Sequence, residues 1–206
     1  MRAVIWDLGG TLVDTYPDVD RALASVLDPE PDEELLHEVA VLTRRSSSEA
    51  IAELAARHAV PARGLRDAYE ATKQHWQRHP APVMAGAREV LAAVRASGAL
   101  NLVATHRDRE SATALLTALD LRIDDMVCAP DGFPRKPDPA MVQALLERHD
   151  LDPGDCLAVG DRPADVASAA AAGVRAVLLQ TPGIPLAAGG AERIDRLEQL
   201  LPLVRA

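Results

Sequence analysis

The stretch that most constrains this chain lies near its start, where the apolar run Ala3-Val4-Ile5-Trp6 meets Asp7-Leu8-Gly9-Gly10-Thr11 and then Leu12-Val13-Asp14. An unbroken apolar run of this length suits a strand covered on both faces, as in a parallel sheet flanked by helices. The two glycines let the backbone turn sharply and approach a ligand closely. An Asp at the carboxyl end of such a strand stands where open α/β sheets bind their ligands. Taken alone, the stretch is equally compatible with a strand end followed by an Asp-initiated turn.

The order of the remaining patterns predicts the architecture. Residues 17–78 carry no strand signal. A helix is expected over 17–27, and three further apolar faces follow: Leu35-Leu36-Val39-Leu42, Ile51-Leu54-Ala55-His58 behind a Ser46-Ser47-Ser48 cap signal, and Leu65-Ala68-Tyr69-Thr72-Trp76. The block closes at His79-Pro80-Ala81-Pro82, a hinge composition. Beyond it helices and strands alternate. Helices are expected over 86–97, 109–119, 140–149 and 166–172, strands over 100–104, 126–129, 156–159 and 176–179, and a last helix over 194–204. Such alternation predicts a Rossmann-like, doubly wound parallel α/β sheet with right-handed crossovers. The expected division is a core of residues 1–15 and 81–206 with a small helical domain, 16–80, inserted into it.

Composition narrows the function classes. Two hundred and six residues can hold a core without staples. A net charge of −9 speaks against nucleic-acid and anionic-membrane partners. Cys128 and Cys156 lack metal or disulfide spacing, and no signal peptide or membrane-spanning run is present, so a cytoplasmic protein, monomeric or a small homo-oligomer, is expected. Among 22 basic residues only Lys73 and Lys136 are lysines, which draws attention to both.

Three expected strands end in polar residues: Asp7, Thr105 and Asp161. In a parallel sheet these ends share one edge and converge if the strands are neighbours. Crowded carboxylates repel, and Asp7 and Asp161, with Asp165 one helical turn on, offer oxygen ligands suited to Mg²⁺; a backbone carbonyl near Gly9 is a further candidate. A metal with Lys136 would attract phosphate, with Thr105 and the amides around Gly9 and Gly10 as hydrogen-bonding groups. Asp7 could then attack phosphorus and form an aspartyl-phosphate. His106 and Arg107 follow Thr105 closely enough to line the pocket. Arg44 and Arg45 suit a substrate anion, although a solvated helix end is the simpler reading. Asp14 is read as a cap on the outgoing turn.

Asp7-Leu8-Gly9-Gly10-Thr11, Thr105, Lys136 before Pro137-Asp138-Pro139, and Gly160-Asp161 through Asp165 together resemble the haloacid dehalogenase-like hydrolases. The four motifs occur in order, and the helical block resembles that family's α-helical cap. The resemblance implies Asp7 as nucleophile and metal ligand, Thr105 and Lys136 on phosphate, Asp161 on Mg²⁺, and Asp165 as a second ligand or its support. One position departs. Family phosphatases carry a second Asp two residues after the nucleophile as general acid and base, and here Gly9 stands there. The resemblance therefore implies a phosphatase of small phosphorylated metabolites, whose proton comes from elsewhere (Asp14, His106 or His75) or is not needed. Two alternatives stay open: a phosphate- and Mg²⁺-binding regulatory protein, and a phosphonate hydrolase or phosphomutase, for which Lys73 would be the only cap lysine.

Overall fold

The computed structural model describes residues 1–205, Arg205 by its backbone alone. It divides into two compact units, Met1–Val13 with the chain from Pro82 onward, and Asp14–Ala81.

The larger unit is built on six parallel strands: β1 (Ala3–Trp6), β2 (Leu100–Thr105), β3 (Asp125–Cys128), β4 (Cys156–Gly160), β5 (Arg175–Leu179) and β6 (Glu192–Ile194). Their order across the sheet is β3-β2-β1-β4-β5-β6. Strand β1 lies between β2 and β4, and all of β1 and β4 is buried, as their unbroken apolar sequences require. The chain leaves β1 toward β2 and β3, then returns across the sheet to β4, so the switch point lies between β1 and β4, where ligands of open α/β sheets bind. Helices α7 (Ala140–Arg148) and α8 (Pro163–Ala171) pack on strands β2 to β5, and α5 (Ala87–Ala96) packs on β2 and on α9 (Leu201–Arg205). Helix α6 (Arg109–Ala118) connects β2 to β3. The buried polar side chains of the sheet are paired: Trp6 Nε1 donates to Asn101 Oδ1 at 3.0 Å, and Asn101 Nδ2 donates to the Leu91 carbonyl at 3.0 Å. Among the described residues no helix is long and apolar enough to cross a membrane.

The tail differs from expectation. Residue 194 ends strand β6, and the following segment is a 3₁₀ turn, Leu197–Leu200, leading into the short α9. Only Ile194 of the three β6 residues is buried, so this edge strand carries almost no apolar signal.

The smaller unit holds four helices: α1 (Tyr16–Leu27), α2 (Glu33–Thr43), α3 (Ser47–Arg57) and α4 (Ala62–His75). Asp32 caps α2 by accepting from the Leu35 amide, and Ser46 caps α3 by accepting from Glu49. Residue Thr15, rather than Asp14, occupies the N-cap of α1, and its side chain makes no cap bond. Arg44 is also not a solvated end, whereas Arg45 is exposed. The Arg44 guanidinium is ion-paired with Asp20 and lies 3.7 Å from the centroid of the Tyr16 ring, and the Arg44 side chain is 8% exposed against 10% for Asp20. Thr43 Oγ1 donates to the same carboxylate at 2.7 Å. Burial outweighs these attractions and holds the Asp20 carboxyl above its ordinary range, and Arg44 Nε is buried without a hydrogen-bond partner.

Such a pair contributes little net stability, but removing one partner strands a buried charge. Arg44→Ala is therefore expected to destabilise the protein by about 3–5 kcal/mol in urea titrations. The double substitution Asp20→Leu with Arg44→Met should recover most of that loss. Equal loss in both variants would contradict this account.

Candidate functional site

Strand register sets the site. Trp6 pairs with Val103 on one side and Val159 on the other, so Asp7 lies beside Ala104 and Gly160, and Thr105 and Asp161 lie one step further on their strands. The Asp7 amide still donates to the Val159 carbonyl at 2.9 Å, which fixes the base of its side chain to the sheet. Immediately beyond, Gly10 adopts φ +94° and its amide donates to the Val13 carbonyl at 2.7 Å. This left-handed turn favours glycine. It returns Thr11 to the strand ends, where its buried hydroxyl donates to Asp161 Oδ1 at 2.8 Å.

The loop between β3 and α7 delivers Lys136. Its ammonium lies 2.7 Å from Asp7 Oδ1 and 2.6 Å from Asp165 Oδ1, with side-chain exposures of 4%, 14% and 9% for Lys136, Asp7 and Asp165. The loop is tied to α8 by Ser168 Oγ, which donates to the Asp138 carbonyl at 2.8 Å. Asp165 sits in the first turn of α8, and its second oxygen, Oδ2, accepts from the Arg162 amide at 2.9 Å. Gly160 makes room for it: a Cβ at residue 160 would lie 2.3 Å from the Asp165 Cβ and 2.6 Å from its carboxylate. No side chain fits there.

Asp7, Asp161 and Asp165 each bring a carboxylate oxygen to within 4.8 Å of the others. Three carboxylates against one ammonium leave two formal negative charges on an all-oxygen donor set, the charge and hardness that suit a divalent cation such as Mg²⁺. The titration shifts reflect the same crowding. Burial pushes Asp7 up to about 7; Lys136 opposes the rise, while Asp165 and Asp161 add to it. Burial alone would lower Lys136, but Asp165 and Asp7 raise it above its ordinary value. Burial works upward on Asp165 as well, and Lys136 and Arg162 override it.

The remaining residues expected at the site fall into two groups. Thr105 is buried at the end of β2, and its Oγ1 accepts the Arg107 amide at 3.2 Å. Gly9 is half-buried in the turn, bridged to Val13. His106 Nε2 accepts the Lys136 main-chain N–H at 2.8 Å. Burial pushes its ring down to about 4, and the charges of Lys136, Arg135 and Arg162 act in the same direction. A nitrogen that accepts an amide N–H carries no proton there, so in this arrangement Nε2 of His106 acts as a hydrogen-bond acceptor. Arg107 instead turns along α6, its Nη1 donating to Ser111 Oγ at 3.0 Å. Elsewhere, Asp131 pairs with Arg109, and His75 is exposed with its ring stacked 4.8 Å from that of His79.

Sequence reasoning missed three supporting parts: the Thr11 hydroxyl on Asp161, the space at Gly160 and the acceptor role of His106. Only Thr11 had a signal, its place inside the first motif.

With this geometry in view, a family model described as haloacid dehalogenase-like hydrolase matches residues 1–173. The chain belongs to this family. A phosphoglycolate phosphatase of Rhodospirillum rubrum is 39% identical over 194 residues, covering 86% of this chain and 79% of that protein. Phosphoglycolate phosphatase 1 of Pseudomonas aeruginosa is 30% identical, covering 98% and 79%. Among solved structures, a dehalogenase aligns with TM-score 0.74 at 21% identity, covering 100% of this chain and 98% of its own. CbbY from Rhodobacter sphaeroides in complex with phosphate aligns with TM-score 0.71 at 22% identity, covering 97% and 96%. At such identities these likenesses establish the fold, a hydrolase-family scaffold that hosts several chemistries.

Two outcomes check this geometry. Gly160→Ala should displace Asp165 and weaken Mg²⁺ binding by ~10–100-fold in calorimetry, the range seen when the support of a ligand is lost; unchanged affinity would contradict the crowding. The second concerns pH. An unfolded histidine takes a proton near 6.5, whereas His106 does so only near 4 when folded. Between these values the unfolded chain binds more protons, so the stability contribution is present above the upper value and is lost as pH falls toward the lower one. Wild type should lose more stability between pH 7 and pH 5 than His106→Gln does, as measured by urea titration.

Proposed function

We propose that this hydrolase is an Mg²⁺-dependent phosphatase of small phosphorylated metabolites, working through an aspartyl-phosphate at Asp7. The observation that carries this reading is the single ammonium of Lys136 shared by Asp7 and Asp165 beside a third carboxylate, Asp161. Asp7, Asp161 and the Gly9 carbonyl would hold the cation. Asp165, with both oxygens already accepting bonds, would support a ligand through water. When bound, the metal supplies positive charge against the phosphoryl oxygens.

An Asp7 carboxylate oxygen attacks phosphorus, the new O–P bond forms in line with the bond that breaks, and the leaving group departs with that bond's electron pair. Lys136 counters the charge on the transferred group, and the Thr105 hydroxyl and the amides of the Gly9-Gly10 turn donate to its oxygens. Water then attacks the acyl phosphate, releasing phosphate and restoring Asp7. Gly9 contributes no proton in either half, and general acid–base help is typically worth ~10²–10⁴-fold. Activated leaving groups are therefore the best substrates, and alkyl esters such as phosphoglycolate, the substrate named for the relatives, turn over more slowly.

Gly9 also favours a second reading, a phosphate- and Mg²⁺-binding regulatory protein that has lost turnover. A phosphonate hydrolase is less well supported, since Lys73, the lysine it would need as an imine-forming amine, is engaged in an ion pair with Glu70 at 2.9 Å. A phosphomutase would also need the proton carrier that Gly9 lacks.

The test is hydrolysis of acetyl phosphate, p-nitrophenyl phosphate and 2-phosphoglycolate with and without Mg²⁺, by wild type, Asp7→Asn and Gly9→Asp. Wild type should turn over the activated substrates only with metal, Asp7→Asn should be inactive, and Gly9→Asp should gain ~10²-fold or more on 2-phosphoglycolate. An inert wild type beside an active Gly9→Asp would favour the binding protein, and inertness in all three would overturn the phosphatase.

A further inference from the structure

Lys136 reaches its two carboxylates from a polar loop, at the end of a side chain with roughly 2 kcal/mol of rotamer entropy. Its ammonium is placed reproducibly only if the main chain beneath it is fixed. The structure contains such a bond: the Lys136 N–H donates to His106 Nε2 at 2.8 Å. His106 follows Thr105 directly, so one side chain ties the end of β2 to the loop that carries the ammonium.

The bond also settles the state of the ring. An Nε2 that accepts an amide N–H carries no proton, so the neutral ring holds its proton on Nδ1. A charged imidazolium would set a donor against a donor, close to the positive charge of Lys136. With Nε2 occupied, the ring has no second acceptor and is not built to handle substrate protons.

We propose that His106 is a positioning residue, whose Nε2 holds the Lys136 backbone so that the ammonium stands between Asp7 and Asp165. The inference rests on the reading of this cluster as a phosphoryl-transfer site. It adds a part that the four motifs do not contain. Glutamine can replace the acceptor through its side-chain oxygen, whereas alanine cannot.

The chain has only two lysines, which makes the test direct. Wild type, His106→Ala and His106→Gln are treated with acetic anhydride, and acetylation of Lys136 is read by peptide mass spectrometry, with Lys73 as internal control. Lys136 should be protected in wild type and His106→Gln, and at least tenfold more reactive in His106→Ala. Acetyl phosphate turnover should fall ~10–100-fold in His106→Ala, the scale of a misplaced catalytic group, and recover in His106→Gln. Undiminished protection in His106→Ala overturns the proposal. So does a His106→Gln variant as reactive and as slow as His106→Ala, since the ring and not its acceptor would then matter. Nitrogen-15 spectra of wild type provide a check that needs no variant: the His106 proton must be on Nδ1, and a proton on Nε2 overturns the proposal. If wild type hydrolyses nothing, the phosphatase reading fails separately, while labelling and spectra still decide the role of His106.

Discussion

The ammonium of Lys136 meets Asp7 and Asp165 where almost none of the three side chains reaches water. At such depth charges are weakly screened, and like charges at these separations cannot all persist unpaired. The rest of the larger unit is arranged around that constraint. Parallel register places Asp7 and Asp161 at adjacent strand ends, the first turn of α8 brings in Asp165, and Thr11 donates to Asp161. Lys136 neutralises only part of the assembled charge, and the remainder suits a divalent cation. Breaking a buried pair of this kind typically costs several kcal/mol, because the surviving charge has nowhere to go.

Much of this was legible in the sequence, for a physical reason. A strand buried on both faces must be apolar throughout, so β1 and β4 declare themselves, and polar residues that interrupt such runs mark the sheet edge. What stayed hidden depends on distant partners. Arg44 reads as an exposed helix end until Asp20, 24 residues earlier, is brought against it. The need for glycine at residue 160 arises only because the Asp165 side chain fills the space above it. His106 gives no sequence sign that it would accept a main-chain N–H 30 residues away. Strand β6 was missed because an edge strand with one buried residue has no periodicity to read.

The fold alone does not decide the chemistry, since a dehalogenase and a phosphate-bound CbbY share it. The acidic cluster bears more directly on that choice. A third carboxylate, buried and paired with Thr11, suits a metal-assisted reaction on an anionic group. Glycine in the position two residues after Asp7 suits a site that leaves protonation of the departing group to the substrate. On the proposed reading these two features together define an enzyme whose binding machinery is complete and whose range is set by leaving-group quality.

The central claim is that Asp7 becomes covalently phosphorylated. Borohydride reduction during turnover of acetyl phosphate, followed by tandem mass spectrometry, tests it at one residue. The account predicts Mg²⁺-dependent conversion of Asp7, and of no other aspartate, to homoserine. Turnover without that conversion, or conversion at a different carboxylate, would contradict it.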